Sequence, residues 1–261
     1  MSRTLISPMP KCAPADSLTG HRETLARRAA WRLEDASPQT IITWAARAFG
    51  SRFTITSSMA DAVLIDLVAR HAPGTDVVFL DTGYHFPETL TMRDAVAATY
   101  HGRINLISVQ PEQTVAEQDS EHGQVLFASN PDRCCFLRKV MPLDRVLAGY
   151  DAWGSGLRRD DSLSRSGTPV VDWDRRNGMV KVNPLARWTQ SDIDIYVGRH
   201  GILTNPLLDA GFTSVGCAPC TQPTSRQTTG AIGASTGDDA RSGRWAQWDK
   251  SECGIHVGVP A

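Results

Sequence analysis

No stretch of this 261-residue sequence comes near the ~18 consecutive apolar residues that a membrane-spanning helix requires. Residues 1–18, polar and proline-bearing, lack the apolar heart of a secretory signal. Net charge is scarce too. With 27 Lys and Arg against 28 Asp and Glu the balance is −1, so the chain as a whole presents no cationic face to nucleic acid, and any positive site must be local. No repeat is present, and there are only six cysteines. Together these absences lead us to expect a cytoplasmic protein with no nucleic-acid or membrane partner, and they leave a homo-oligomer open. Thiols stay reduced in that compartment, so its cysteines are more often ligands or catalysts than disulfides.

What is present reads as one large α/β domain, residues 18–220, with a flexible segment 1–17 before it and a mobile tail 221–261 after it. Residues 18–49 have a helical pattern, with Ser37 and Pro38 placed as cap and first-turn residue. Strands are expected at Phe53–Thr56, Val77–Leu80 and Ile104–Val109, separated by helices at 62–70 and from Pro87 to Tyr100. Val77-Val78-Phe79-Leu80 is apolar throughout, as in a strand buried on both faces. Such alternation builds a mostly parallel sheet flanked by helices, with ligands at the carboxyl ends of its strands. Further on we expect a single helix from Cys134 to Leu147 and a strand near 151–154. A hairpin about Asn177-Gly178 follows, inserted after the α/β core, then a helix capped by Thr189 with Asp192 in a capping box. The stretch 221–240, rich in Gly, Ser and Thr, reads as a mobile connector to a tail bearing Arg241, Arg244, Trp245, Trp248 and Cys253.

Chemistry concentrates in a few places. Cys134-Cys135 and Cys217-Ala218-Pro219-Cys220 form a CC…CxxC set, four thiolates that the fold could bring to one point. Adjacent side chains diverge, so the vicinal pair suits the several corners of a [4Fe–4S] cluster better than a single zinc ion. Arg138 and Lys139 follow at once and would hold positive charge beside it. Ser57, Ser58 and Asp61 sit where a strand meets a helix N-terminus, a place that suits a phosphate as well as it suits an ordinary cap. Leu80-Asp81-Thr82-Gly83 is a strand-end turn able to take a ribose or an adenine edge, or simply to close a loop. Lys139, Arg158, Arg165, Arg241 and Arg244 are the cations available for sulfate or phosphate. Cys253, among small and polar neighbours, reads as a nucleophile or as an incidental thiol.

Taken together the motifs resemble the assimilatory sulfonucleotide reductases, and within them the cluster-containing adenylylsulfate (APS) reductases. The likeness runs from about Phe53 to His256. It rests on Leu80-Asp81-Thr82-Gly83, His85-Phe86-Pro87-Glu88-Thr89, Cys134-Cys135 with Arg138-Lys139 and Gly156-Leu157-Arg158-Arg159 with Ser162 and Arg165. Cys217-Ala218-Pro219-Cys220, Arg241-Ser242-Gly243-Arg244-Trp245 and Glu252-Cys253-Gly254-Ile255-His256 complete it. The resemblance implies an adenine-nucleotide α-hydrolase-like (PP-loop) fold and a [4Fe–4S] cluster on the four cysteines. It further implies APS bound by the Ser57–Asp61 and Leu80–Gly83 turns, the cations and His256, and reduction of that APS by thioredoxin through Cys253. One departure is Met59, where the PP-loop pattern has Gly. Rival expectations are reduction of the 3′-phosphorylated substrate PAPS, an adenylating ATP-pyrophosphatase on the same fold, and a zinc-stabilised nucleotide-binding module.

Overall fold

The computed structural model describes residues 15–224, 240–248 and 250–256. Cys12, most of the 1–17 segment and the central part of the 221–240 connector lie outside these residues.

Two helices, α1 (Ala15–Leu33) and α2 (Pro38–Phe49), precede the sheet. Ser37 begins α2 as expected, its Oγ accepting from the Thr40 amide while Pro38 fills a first-turn position that needs no N–H. Strand β1 (Phe53–Thr56), helix α3 (Val63–His71), strand β2 (Thr75–Leu80), helix α4 (Pro87–Thr99) and strand β3 (Ile104–Val109) follow. This is the anticipated β–α–β alternation, and β1, β2 and β3 pair in parallel. Phe53, Ile55, Val77 and Phe79 are essentially inaccessible, as are Ile41, Ile42, Val63, Leu67 and Val68 of the covering helices. Each such side chain contributes about 1.5–3 kcal/mol on burial, and the apolar spacing of α2 and α3 aims those residues at the strands.

Helices α5 (Val115–His122) and α6 (Leu126–Ser129) lie beyond β3. The first starts with a complete capping box between Thr114 and Glu117, a signal that stands in the sequence as Thr-x-x-Glu. The single helix expected from Cys134 to Leu147 is instead three pieces: α7 (Pro131–Cys135), a wider π-type turn over Phe136–Val140, and α8 (Met141–Leu147). Pro142 supplies the reason. It has no N–H for the Arg138 carbonyl, and its ring would crowd that oxygen in a regular helix.

Strands β4 (Ala152–Gly154), β5 (Val171–Asp174) and β6 (Met179–Val182) complete a six-stranded sheet of order β3-β2-β1-β4-β6-β5. The hairpin is therefore not an insertion after the core. β6 runs parallel beside β4, and β5 forms the antiparallel edge. Helix α9 (Gln190–His200) has the expected Thr189–Asp192 capping box and ends on Gly201 in the left-handed region, φ 60°. The first helix begins inside the segment read as a lead-in. Thr224, read as part of the mobile connector, donates its amide to Gly211 O, while Gln222 bonds Gly243. Among the described residues no helix is long and apolar enough to cross a membrane.

Candidate functional site

One cleft opens at the carboxyl ends of β1, β2 and β4. Its lining includes Ser57, Ser58, Asp61, Leu80, Thr82, Lys139, Arg158, Arg165, Arg241, Arg244, Cys253 and His256. Two sequence candidates, Asp81 and Gly83, are not on that wall. The Asp81 carboxylate accepts from the Gly83 amide at 3.3 Å and lies 3.7 Å from Arg93. Gly83 has φ +74°, and the Arg138 guanidinium packs on it so closely that a Cβ would meet Nη2 at 3.1 Å. The turn thus serves Arg138, whose Nε donates to Thr82 O (2.5 Å) and whose Nη1 donates to Gln118 Oε1 (3.0 Å).

The loop after β1 is held by its own side chains and by one distant asparagine. Ser57 Oγ accepts from the Met59 amide, Asp61 Oδ1 accepts from the Val63 amide at the start of α3, and Asn205 donates to Met59 O. Met59 adopts φ +60°, the conformation glycine would take at no cost, while its side chain is wholly buried. The backbone therefore keeps a glycine-like path, and apolar burial compensates the strain of the left-handed region. Burial raises the Asp61 carboxyl above its ordinary value, partly offset by the Val63 amide and Arg158.

The four predicted cysteines do converge. Cys134 and Cys135 come from α7, Cys217 and Cys220 from a loop that pairs with His85 and Tyr84 beside β2, and all four line one small cavity closed by Tyr84, Phe127 and Pro219. Each is a free, buried thiol. Burial, with the neighbouring thiolates, pushes Cys134 up to about 12, and burial pushes Cys135 up to about 11. Cys217 differs: burial raises it, but Lys139, the Thr82 hydroxyl (3.3 Å) and Arg244 outweigh that and leave it below the ordinary thiol value. Thiols so placed carry charge readily only with a cation among them. Among the described residues no three His, Cys, Asp or Glu side chains close on a point where one metal ion would sit. Four thiols around one cavity are the soft donor set that zinc or an iron–sulfur centre takes, and Lys139, buried between this ring and the cleft, borders both.

The tail, residues 240–248 and 250–256, packs over the cleft. Trp245 is buried at φ 52° and surrounded by cations: Arg244, Arg241, Lys250 and Lys139 lie 4.5, 5.6, 5.6 and 6.0 Å from its ring centroid. Arg244 also donates to Val215 O and covers Gly216. His256 stacks on Trp153, 5.8 Å between centroids and 7° between planes, and its Nδ1 lies 3.3 Å from Lys181 Nζ. Arg165 grips Glu252 through Nε (2.6 Å) and Nη2 (2.9 Å) and holds Asp161 through Nη1 (2.9 Å). Sequence reasoning missed Glu252, Asp161, Lys181 and Trp153 as site residues. For Glu252 a signal existed, a carboxylate beside a tail cysteine in a chain region rich in Arg.

Two buried donors on the cleft wall, Arg158 Nη1 and Arg244 Nε, have no acceptor among the described residues. An unpaired buried donor costs about 1–3 kcal/mol, and a bound anion removes that cost. The arrangement can therefore hold an anion in the same cleft as a half-buried thiol, Cys253, which packs against the cluster of Cys135, Cys217, Cys220 and Trp245.

Comparison with known proteins agrees with this geometry. Residues 52–223 match the phosphoadenosine phosphosulfate reductase domain. The chain is 54% identical over 238 residues to a Streptomyces coelicolor protein named adenosine 5′-phosphosulfate reductase, covering 91% of this chain and 96% of the relative. A crystal structure of phosphoadenylyl-sulfate (PAPS) reductase from Candida auris, a phosphate complex, superposes with TM-score 0.64 at 27% identity over 82% of this chain and all (100%) of that one. The fold is also like that of Candida glabrata FMN adenylyltransferase, with TM-score 0.51 at 13% identity over 81% of this chain and 69% of that one. With the PAPS reductase likeness and the mostly parallel six-stranded sheet, the architecture is the expected adenine-nucleotide α-hydrolase-like one. On its sequence and its architecture alike, the chain belongs to the phosphoadenosine phosphosulfate reductase domain family.

Proposed function

We propose that this chain reduces adenosine 5′-phosphosulfate to sulfite and AMP, with Cys253 as nucleophile and thioredoxin as reductant. The observation that carries the reading is the presence of Cys253 in one cleft with the Ser57–Asp61 loop, Lys139 and the unpaired donors of Arg158 and Arg244. The names of the curated relatives support the same substrate. The adenosine end would lie along Ser57, Ser58, Leu80 and Thr82, and the sulfate end toward the cations.

The Cys253 thiolate attacks the sulfate sulfur. The bond from sulfur to the bridging oxygen breaks, AMP leaves with that electron pair, and S-sulfocysteine remains. A thioredoxin thiolate then attacks Cys253 Sγ, and sulfite departs with the S–S electron pair. The second thioredoxin thiol displaces Cys253 from the mixed disulfide, so two electrons pass from dithiol to substrate sulfur. A thiolate approaching an anionic sulfate is opposed by roughly 4 kcal/mol per unit-charge pair at about 4 Å in a protein-surface dielectric. Lys139, Arg158 and Arg244 offset that repulsion.

Cys134, Cys135, Cys217 and Cys220 would hold a [4Fe–4S] cluster, which when bound supplies a fixed charge beside Lys139. A reducing, cytoplasmic setting suits five described cysteines that are all free thiols. The test is anaerobic sulfite release from APS and from PAPS with thioredoxin present. The wild type should favour APS. The Cys253→Ser variant should bind APS, retain its metal and release no sulfite; turnover by that variant excludes Cys253 as nucleophile.

A further inference from the structure

The cations of the cleft are not equivalent, because some already hold carboxylates. Arg158 donates through Nε to Asp161 Oδ1 (3.0 Å), and Asp161 Oδ2 receives Arg165 Nη1. Arg165 turns its remaining edge, Nε and Nη2, to both oxygens of Glu252 in the fork geometry that guanidinium and carboxylate favour. Arg241 Nη2 reaches Glu252 Oε2 at 3.3 Å and Ser251 O at 3.1 Å. The result is a continuous chain of alternating charge, Arg158–Asp161–Arg165–Glu252–Arg241, that begins beside the sheet and ends in the tail. Its members are 11–15% exposed along their side chains, so water screens the pairs weakly. Arg165 and Glu252 stand 87 positions apart in sequence, so the contact fixes the tail against the domain rather than shaping a local turn. Cys253 is the next residue.

We propose that Glu252 is a positioning residue for Cys253: seated between Arg165 and Arg241, it docks the tail and sets the thiol at the cleft. Arg165 and Arg241 then serve the tail, and the substrate's anion falls to Lys139, Arg158 and Arg244. The docking half of this inference stands on geometry alone, and its catalytic half rests on Cys253 being the nucleophile. Glu252 keeps its charge at neutral pH in this setting; burial alone would raise its carboxyl, but the hydrogen bonds from Arg165 and the Arg241 charge bring it below its ordinary value.

The test uses the full-length, metal-loaded protein. Lys250 lies two residues before Glu252 and is itself largely covered, its ammonium paired with Asp132. Tryptic cleavage after Lys250, without nucleotide, therefore reports docking. Glu252→Gln and Arg165→Gln should each speed this cut about tenfold. The double variant should add nothing further, because both remove one contact. In sulfite release Glu252→Gln should lower kcat about tenfold with KM for APS little changed, and Glu252→Asp should recover part of the loss. An unchanged cleavage rate in Glu252→Gln overturns the proposal. So does a lowered KM, the sign of a carboxylate that merely competes with substrate for the two arginines. Should the wild type release no sulfite while Glu252→Gln still frees the tail, docking is supported and the proposed reduction of APS falls, taking only the catalytic half with it.

Discussion

Gly216 illustrates how a single position sets the anion site. A methyl group there would overlap the Arg244 guanidinium, which is itself buried and tied to Val215 O. Arg244 ends a flexible side chain, so it would yield, and the fold would lose little. Its Nε would then leave the cleft wall. Gly216→Ala is expected to leave the thermal midpoint within a few degrees and to lower kcat/KM for APS about tenfold, roughly 1.4 kcal/mol of transition-state stabilisation. Steady-state kinetics beside a melting curve check this, and unimpaired kinetics would show that Arg244 contributes nothing to binding. Met59 teaches the complementary lesson. The sequence pattern expects glycine in its place, and the structure meets the demand for a left-handed backbone with a residue that repays the strain by filling the core.

Among the elements, the tail carries a buried histidine that makes its docking depend on pH. His256, its last described residue, is pressed against Trp153 of β4 and Lys181 of β6, with Arg165 and Arg241 facing it. Burial, then the charges of Lys181, Arg165 and Arg241, hold its imidazole well below the usual value. A free tail would take up a proton near the ordinary histidine value of about 6.5, and a docked one would not. The undocked state therefore binds more protons as pH falls, so docking is fully present above about pH 6.5 and weakens below it, by at most about 1.4 kcal/mol per pH unit. Hydrogen exchange of residues 250–256, corrected for intrinsic rate, should show protection falling from pH 7.5 to 5.5 in the wild type and much less change in His256→Gln. Flat protection in the wild type would refute it. Much at this scale was legible beforehand. The β-branched runs of β1 to β3 and the caps at Ser37 and Thr189 rest on local sequence, and local rules found them. Cys134-Cys135 and Cys217-x-x-Cys220 announced their convergence by composition alone. What stayed hidden depended on distant partners: β6 joins β4 across an intervening edge strand, and Arg165 finds its carboxylate in the tail. The π-type turn before Pro142 stayed hidden for a different reason, since a proline can equally start, bend or end a helix.

For the molecule as a whole, the thiol ring ties together two distant parts of the chain. Cys134 and Cys135 lie on the helical stretch after α6, while Cys217 and Cys220 lie beyond α9, on a loop joined to the end of β2 by the Ala218 amide and Tyr84 O at 2.7 Å. A metal centre bridging them, as proposed, would act as a cross-link. On the chain-entropy account, closing a loop of about 80 residues is worth roughly 4–5 kcal/mol. Stripping it also leaves four buried thiols with no shared cation. At about 2–4 °C per kcal/mol for a domain of this size, removing the metal should lower the thermal midpoint by roughly 10 °C or more. The same preparation decides what the metal is: four iron with acid-labile sulfide per chain answers to the cluster, one zinc to the rival module. Calorimetry before and after anaerobic stripping by a chelator with an oxidant, with iron, zinc and sulfide counted in each sample, makes the measurement. A midpoint that does not move would mean that the ring is held by its apolar neighbours, Tyr84, Phe127 and Trp245, and needs no metal to bring the two halves of the site together.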